Sequence, residues 1–127
     1  VMGPLGLSGV EIASNINGQD PGSDEFRPFW EAAERLGAVV FVHPAYFDQL
    51  GSERMGRYYL RNLLGNPMET TLFAASLIFS GIMEDFPNLK VVLAHAGGVL
   101  PYLRGRLEHG YKVRPEPKAR ITRPPTP

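Results

Sequence analysis

The chain has 127 residues, of which 43% are hydrophobic and 20% charged, and its 13 basic residues balance 13 acidic ones. This length and composition suit one modest soluble domain, and a net charge of zero argues against nucleic acid as the principal partner. The absence of cysteine excludes disulfides and thiolate zinc sites, no apolar run is long enough to span a membrane, and we expect a cytoplasmic protein.

The first part of the chain predicts a strand, a helix and a second strand. The first strand is expected over residues 8–14, where Glu11 is unusual for a buried strand and is interpreted as a carboxylate paired within the sheet or at its edge. A helix follows over 24–36, with Gly37 at its end. The β-branched run at 39–43 predicts a second strand directly afterwards. Such short links are typical of a right-handed crossover between parallel strands.

The middle of the chain combines an irregular segment with a clear helix. Residues 46–64 mix basic and aromatic side chains and predict either a short amphipathic helix or a flap beside an active site. The helix is expected over 67–79, with Asn66 as its N-cap. Pro67 suits the first turn, and Glu69 stands three residues after the cap, as in a capping box. This helix is nearly all apolar and should be largely buried.

The last part predicts a third strand over 90–95, buried on both faces, and a helix over 99–109. The Pro-rich residues that follow are expected to be extended or disordered. We therefore divide the chain into residues 1–113, which belong to the folded domain, and a tail at 114–127. The order β-α-β-α-β-α with three parallel strands predicts an α/β fold. Three strands cannot close a barrel, which needs about eight, so they form either a small open sheet or part of something larger.

Two of the three histidines stand at the carboxyl ends of predicted strands, His43 after the second and His95 after the third. Parallel α/β sheets place ligands and chemistry at this edge. Strand alternation puts His43 on the face of Phe41 and His95 on the face of Leu93. A histidine in such a position is often a structural hydrogen-bonding group, but two at equivalent ends favour one shared site. Two imidazoles alone hold a metal weakly, since catalytic zinc takes three or four ligands.

The segment after His95 predicts a sharp turn into the last helix. Gly97 and Gly98 allow the turn, and Pro101 fits the first turn of the helix. The glycine pair is also compatible with an anion nest, although two glycines alone are a weak signal. Arg106 stands about eight residues into the predicted helix, roughly 12 Å along its axis from the strand end. It is either a solvated surface charge or a group that serves a substrate in a neighbouring subunit.

Several motifs, in order and at their spacing from Leu5 to about Arg114, resemble one branch of the amidohydrolase superfamily. The motifs are Phe41-Val42-His43-Pro44, Pro67-Met68-Glu69-Thr70-Thr71, Phe86-Pro87-x-Leu89-Lys90, His95-Ala96-Gly97-Gly98 and Pro101-x-x-x-Gly105-Arg106-x-x-His109-Gly110. The branch is that of aminocarboxymuconate semialdehyde decarboxylase and the related resorcylate and carboxyvanillate decarboxylases.

The resemblance implies strands four, five and six of a metal-dependent (β/α)8 barrel, the TIM barrel. It implies that His43 is a metal ligand and that His95 is the acid–base histidine beside the metal. Arg106 matches an arginine that crosses a homodimer interface to clamp a substrate carboxylate. The resemblance also implies that Tyr46 binds the substrate, in a pocket wall that differs from that of the muconate enzymes, which tend to carry Trp-Asp in place of Ala45-Tyr46. The implied cofactor is one divalent metal ion, zinc or alternatively manganese, because the first predicted strand lacks the lysine of binuclear relatives.

Three functions stay open at this point. The parent protein is a decarboxylase of aromatic or muconate-type carboxylic acids, or a hydrolase such as a lactonase on the same scaffold. The third alternative is a truncated, inactive fragment, because the His-x-His of the family's first strand and the aspartate of its eighth have no counterpart here. Only one of four expected protein ligands of the metal, His43, is thus present. Activity is therefore expected of the full-length parent and is open for this chain alone.

Overall fold

The computed structural model describes residues 4–45 and 50–125, and its centre is a sheet of three parallel strands. The strands are β1 (Gly9–Ile12), β2 (Val39–Val42) and β3 (Lys90–Leu93), and they lie in the order β1-β2-β3. Helical structure after β1 and after β2 carries the chain back to the start of the next strand. The predicted α/β fold with three parallel strands is confirmed.

Helices connect the strands and follow the last one. They are α1 (Arg27–Arg35), α2 (Asn66–Phe79), the short α3 (Ile82–Asp85) and α4 (Leu100–Val113). The three longer helices each carry a proline in the first turn, where the missing N–H costs no hydrogen bond. A 3-10 turn at Asp24–Phe26 leads into α1, and a π-helical turn at Arg61–Gly65 leads into α2.

The predicted capping box at the start of α2 is wrong. Asn66 has helical backbone angles (φ −60°, ψ −48°) and continues the preceding turn, and no side chain caps the helix. The Glu69 carboxylate accepts hydrogen bonds from other parts of the chain instead. The chain is therefore already helical where α2 begins. Most residues in the first two turns of α2 are buried, including Glu69, Thr70 and Thr71.

The core lies between one face of the sheet and the helices. Val40 and Val42 of the central strand are fully buried and belong to one cluster with Trp30 of α1 and Phe73 of α2. The indole N–H of Trp30 donates to the carbonyl of Pro21 at 2.8 Å, so this large buried side chain leaves no polar atom unsatisfied. The packing fixes α1 and α2 against β2 and thereby fixes the positions of both helix ends near the strand ends.

The two outer strands are more exposed than the sequence predicts. β3 was expected to be buried on both faces, but Val92 is 48% exposed. Glu11 of β1 is also exposed and forms no ion pair within residues 4–45 and 50–125, contrary to its interpretation as a paired carboxylate. Both strands are edges of the sheet in the described part of the chain, and their second face has no partner layer there.

The tail folds back onto the 3-10 turn before α1 and onto α3 over its described part, residues 114–125, where the sequence favours an extended or disordered segment. The guanidinium of Arg120 donates to both carboxylate oxygens of Asp24, at 2.7 Å each. The carboxylate of Glu84 accepts from the backbone N–H groups of Thr122 and Arg123 at 2.9–3.1 Å, and Ile121 is buried between these contacts. No described helix is both long and apolar enough to cross a membrane.

Candidate active site

His43 follows β2 directly and lies at the carboxyl edge of the sheet. Its backbone N–H donates to the carbonyl of Ile12 at 3.1 Å, which continues the ladder between β1 and β2 by one residue. Its Nδ1 lies 3.1 Å from the carbonyl oxygen of Pro44. A carbonyl only accepts, so Nδ1 carries the proton and donates. The other ring nitrogen, Nε2, is left with its lone pair.

His95 reaches the same edge in a way that strand alternation does not predict. In the register of the sheet Phe41 pairs with Val92 and Val42 with Leu93, and paired residues of parallel strands share a face. Plain alternation would therefore place His43 and His95 on opposite faces. The strand ends at Leu93, however, and His95 and Ala96 adopt left-handed backbone with φ of 54° and 51°. This turn redirects the His95 ring toward His43.

The two imidazole rings lie side by side, with 5.3 Å between their centroids and 49° between their planes. Left-handed backbone costs an L-residue about 1–2 kcal/mol, and two such residues in succession are retained only where the surroundings hold them. Strain of this kind is concentrated at functional sites. The pairing of the rings thus depends on a locally unfavourable turn that the neighbouring helix supports.

The first turns of α2 provide that support. Thr71 accepts the backbone N–H of Val99 at 2.8 Å and donates its own hydroxyl to the carbonyl of Pro67 at 2.8 Å. Gly98 has φ of +66°, and a Cβ there would lie 2.2 Å from the Pro67 carbonyl oxygen. Only glycine lets the loop after β3 approach the helix this closely. The predicted sharp turn is present, and it docks on α2.

Thr70, the residue before Thr71, contacts the His95 ring itself. Its hydroxyl oxygen lies 3.0 Å from Nδ1 of His95 and 3.1 Å from the carbonyl oxygen of Asn66. Thr70 is fully buried, whereas His95 is exposed at the edge of the sheet. A rigid helix position therefore holds one nitrogen of an accessible ring.

Glu69 is a site feature that the sequence did not reveal. Its buried carboxylate accepts from the hydroxyl of Ser14 at 3.1 Å, the side-chain amide of Asn15 at 3.3 Å and the backbone N–H of Leu50 at 2.5 Å. These donors come from the end of β1 and from the segment after β2. The carboxylate thus ties both segments to the start of α2. From sequence alone, a glutamate in the first turn of a helix is interpreted as a capping residue, so its hydrogen bonds to distant segments were not predicted.

The pKa of His95 is lowered from its ordinary value. Partial desolvation of the ring is the larger cause, and the nearby His43 is the second, because both disfavour a positive charge on His95. The neutral form of the imidazole is therefore favoured more strongly than in an ordinary histidine. A neutral imidazole offers one lone pair for accepting a proton and one N–H for donating.

The side chains at the carboxyl ends of the strands include one histidine whose ring is suited to bind a metal ion. Nδ1 of His43 is engaged by a backbone carbonyl, and its Nε2 has no hydrogen-bond partner among residues 4–45 and 50–125, which is the arrangement usual for a ligating histidine. Within residues 4–45 and 50–125 no group of three or more histidine, cysteine, aspartate or glutamate side chains could hold a metal. His43 thus fits as one ligand of a metal, and further ligands have to come from elsewhere.

The remaining predicted site residues are not brought to this pair of rings. Arg106 lies exposed on α4, and no described contact joins it to either histidine. Tyr46 lies outside the described residues. Glu11 lies in an open cleft with His43 and Ala45, at the carboxyl ends of β1 and β2. The described site therefore consists of two imidazoles, the helix turn behind them and an open cleft beside His43.

Comparison with known proteins identifies relatives over most of the chain. Residues 1–116 match the family model described as amidohydrolase. The 2-amino-3-carboxymuconate-6-semialdehyde decarboxylase of Dictyostelium discoideum is 46% identical over 112 residues. The match covers 88% of this chain and 31% of that relative, so the chain spans less than a third of the relative's length.

Solved structures share the architecture as well. The 5-carboxyvanillate decarboxylase of Sphingomonas paucimobilis is 30% identical with a TM-score of 0.78, and the match covers 87% of this chain and 33% of that one. A dihydroxybenzoic acid decarboxylase from a Polaromonas species, solved with bound manganese and the inhibitor 2-nitroresorcinol, is 26% identical with a TM-score of 0.80. That match covers 98% of this chain and 40% of the other.

Proposed function

The chain belongs to the amidohydrolase family and forms part of its (β/α)8 barrel domain, and we propose that its parent protein is a metal-dependent decarboxylase of an aromatic or muconate-type carboxylic acid. The observation that carries this proposal is the pair of imidazoles, 5.3 Å apart at the carboxyl edge of the sheet. The relatives named above, which share both sequence and fold with this chain, are decarboxylases by name. This supports decarboxylation over other reactions of the scaffold.

We assign the two histidines different roles. His43 contributes Nε2 as one ligand of a single divalent metal, zinc or manganese; manganese is bound in one related structure. Bound there, the metal supplies Lewis-acid chemistry that anchors and polarises an oxygen of the substrate. His95 holds and moves the proton: its Nε2 takes up a proton from solvent and then gives it to the substrate carbon that bears the carboxylate. The bond from that carbon to the carboxylate breaks, its electron pair stays on the carbon and receives the proton, and CO2 leaves.

Arg106 and Tyr46 complete the proposed substrate pocket. Arg106 is exposed on α4 and has no described contact with either ring, so we propose that in a homodimer it binds the carboxylate of the substrate held in the partner subunit. We also propose, on the resemblance alone, that Tyr46 takes part in binding the substrate.

The homodimer proposal is tested by complementation in the full-length parent. An Arg106→Ala subunit mixed with a His95→Ala subunit should regain activity, because one of the two hybrid sites then holds both intact groups. Heterodimers are confirmed by mass, and each parent variant alone serves as the control. If the mixture is no more active than either single variant alone, Arg106 does not act on substrate in the partner subunit.

The reaction class is tested by two assays on the full-length parent. We expect release of CO2 from 2-amino-3-carboxymuconate semialdehyde or from dihydroxybenzoates, with no opening of lactones. The His95→Gln variant is the control for both assays. Lactone opening without CO2 release would identify a hydrolase instead, in which His95 acts as the base for attack by water on a carbonyl.

The 127-residue chain by itself is a separate question, because the described residues provide no complete metal site. We propose that it is inactive alone and that catalysis requires the rest of the barrel. Metal analysis of the purified chain after dialysis tests this. Stoichiometric, tightly held zinc would contradict it.

A further inference from the structure

The hydroxyl of Thr70 faces two groups that differ in what they can do. The carbonyl oxygen of Asn66, 3.1 Å away, can only accept a hydrogen bond. Nδ1 of His95, 3.0 Å away, either donates or accepts, depending on where the ring carries its proton. Thr70 has one hydrogen to give and two lone pairs to offer. The two contacts together therefore restrict where the protons lie.

One arrangement satisfies both contacts. If Thr70 donates to Asn66, its oxygen is free to accept from an N–H at Nδ1 of His95. In the opposite arrangement the hydroxyl hydrogen points at the ring, and a lone pair of Thr70 faces the carbonyl oxygen 3.1 Å away, with no hydrogen between them. Two oxygen acceptors at this distance repel each other, because both carry partial negative charge. Thr70 is buried, so water cannot relieve this repulsion.

We propose that Thr70 is a positioning residue that holds His95 as the tautomer protonated at Nδ1, so that Nε2 presents its lone pair to the substrate. The consequence for catalysis rests on the proposed function, since it concerns the atom through which His95 moves its proton. His43 is fixed in the same tautomer by the carbonyl of Pro44. Both rings thus present Nε2 at the carboxyl ends of the strands, His43 as a metal ligand and His95 as a base.

The neighbouring Thr71 makes a matched comparison. It too is buried and donates to the carbonyl four residues earlier, but it accepts from the backbone N–H of Val99 at 2.8 Å rather than from an imidazole. Thr71 therefore holds the backbone of the loop after β3, and Thr70 holds the ring. Removing either hydroxyl takes a side-chain hydrogen bond away from a backbone carbonyl of α2. Only removing the Thr70 hydroxyl also takes away the acceptor for the Nδ1–H of His95.

The test is long-range 1H–15N NMR of the full-length protein labelled at histidine, at about pH 8, where neutral imidazole dominates. The His95 signals are assigned by their loss in His95→Gln. We expect wild type to carry the proton at Nδ1. Thr70→Val should move it wholly or partly to Nε2 and lower kcat about 10- to 100-fold with KM little changed. Thr70→Ser should restore the wild-type pattern, and Thr71→Val should leave the tautomer unchanged.

Three results would overturn the proposal: a wild-type His95 protonated at Nε2, a Thr70→Val protein with an unaltered tautomer, or the same tautomer change in Thr71→Val. If Thr70→Val does not fold, the wild-type and Thr70→Ser spectra still decide the question. Failure of the proposed function gives a different signature. Wild-type protein would then release no CO2 while its His95 spectrum remains as described.

Discussion

The two histidines of the site are held by unrelated parts of the molecule. His43 continues the central strand, and its ring contacts the carbonyl of the next residue. His95 lies in a left-handed turn, and its ring contacts a hydroxyl on α2. Both contacts engage Nδ1. As a result, both Nε2 atoms are without a hydrogen-bond partner in the part of the chain that the structure describes, at the carboxyl ends of the strands, which is the chemical basis of the proposed metal–base pair.

The lowered pKa of His95 gives a prediction for the metal-free protein. We expect its imidazole to titrate below pH 6.5, the ordinary value, in an NMR titration. Because the folded state binds this proton more weakly than the unfolded state, the contribution to stability is complete above about pH 6.5 and is lost as the pH falls through the folded pKa. His43→Gln should raise the pKa only part of the way back, because desolvation is the larger cause. A wild-type midpoint at or above 6.5 would contradict this.

At this scale the sequence predicted which residues meet but not how they meet. Equivalent strand ends brought His43 and His95 to one edge, as the sequence indicated. Their closeness, however, depends on the left-handed turn at His95, and alternation alone would have separated the rings. The Thr70 contact was also out of reach, because it joins residues far apart in sequence and depends on how the loop docks on α2.

Among the elements, the tail shows how carboxylates from two helical segments hold a Pro-rich stretch in place. The hydrogen bond from Arg120 is the main reason that the pKa of Asp24 is lowered. The pKa of Glu84 is lowered first by the backbone N–H of Arg123 and then by that of Thr122. Both carboxyls therefore favour their charged forms when the tail is docked.

Docking of the tail should accordingly depend on pH. Because the pKa of each carboxyl is lower when the tail is docked, the charged carboxylates stabilise docking at pH values above their ordinary pKa, about 3.9 for Asp and 4.3 for Glu. This stabilisation is lost as the pH falls through the lowered pKa values of the folded protein. We expect the amide chemical shifts of Thr122 and Arg123 to move to disordered values below about pH 4. Glu84→Gln should weaken docking at neutral pH, and Glu116→Gln, whose partner Arg114 lies in the tail itself, should not. Unchanged shifts down to pH 2 would contradict the prediction.

The elements themselves were predictable because local patterns agree with the fold. Apolar runs that alternate with helical segments marked three strands and three long helices, and all are present. The prediction for the start of α2 was wrong, because the partners of Glu69 come from the segments after β1 and after β2 rather than from its own helix turn. The contacts of the tail likewise depend on Asp24 and Glu84, which no local pattern connects to it.

At the scale of the whole molecule, the sheet has two open edges in the part of the chain that the structure describes. β1 and β3 lie outermost, and Val10, Val92 and Leu72 are between 37% and 48% exposed. Unpaired edges and apolar patches of this kind associate. In the parent these surfaces are where the remaining strands and helices of the barrel would pack.

We therefore expect the isolated 127-residue chain to associate. Size-exclusion chromatography with light scattering should give a mass above the 14.0 kDa of one chain. Val92→Lys places a charge on the open strand and should reduce the mass toward that of the monomer. Leu36→Lys, at a residue that is 53% exposed but follows α1 rather than lying on a strand, is the control and should not. A monodisperse wild-type monomer would contradict the expectation.

The most direct test of the central claim, a metal ligand at His43 beside a proton-transferring His95, is to measure metal content and kcat together in the full-length parent. We predict that His43→Ala loses the bound metal and with it the activity, whereas His95→Ala retains nearly all of the metal and loses kcat severely. The metal is quantified by elemental analysis of dialysed protein, and folding is checked by circular dichroism. Equal loss of metal in both variants would make His95 a ligand, and full metal content in His43→Ala would remove His43 from the metal site.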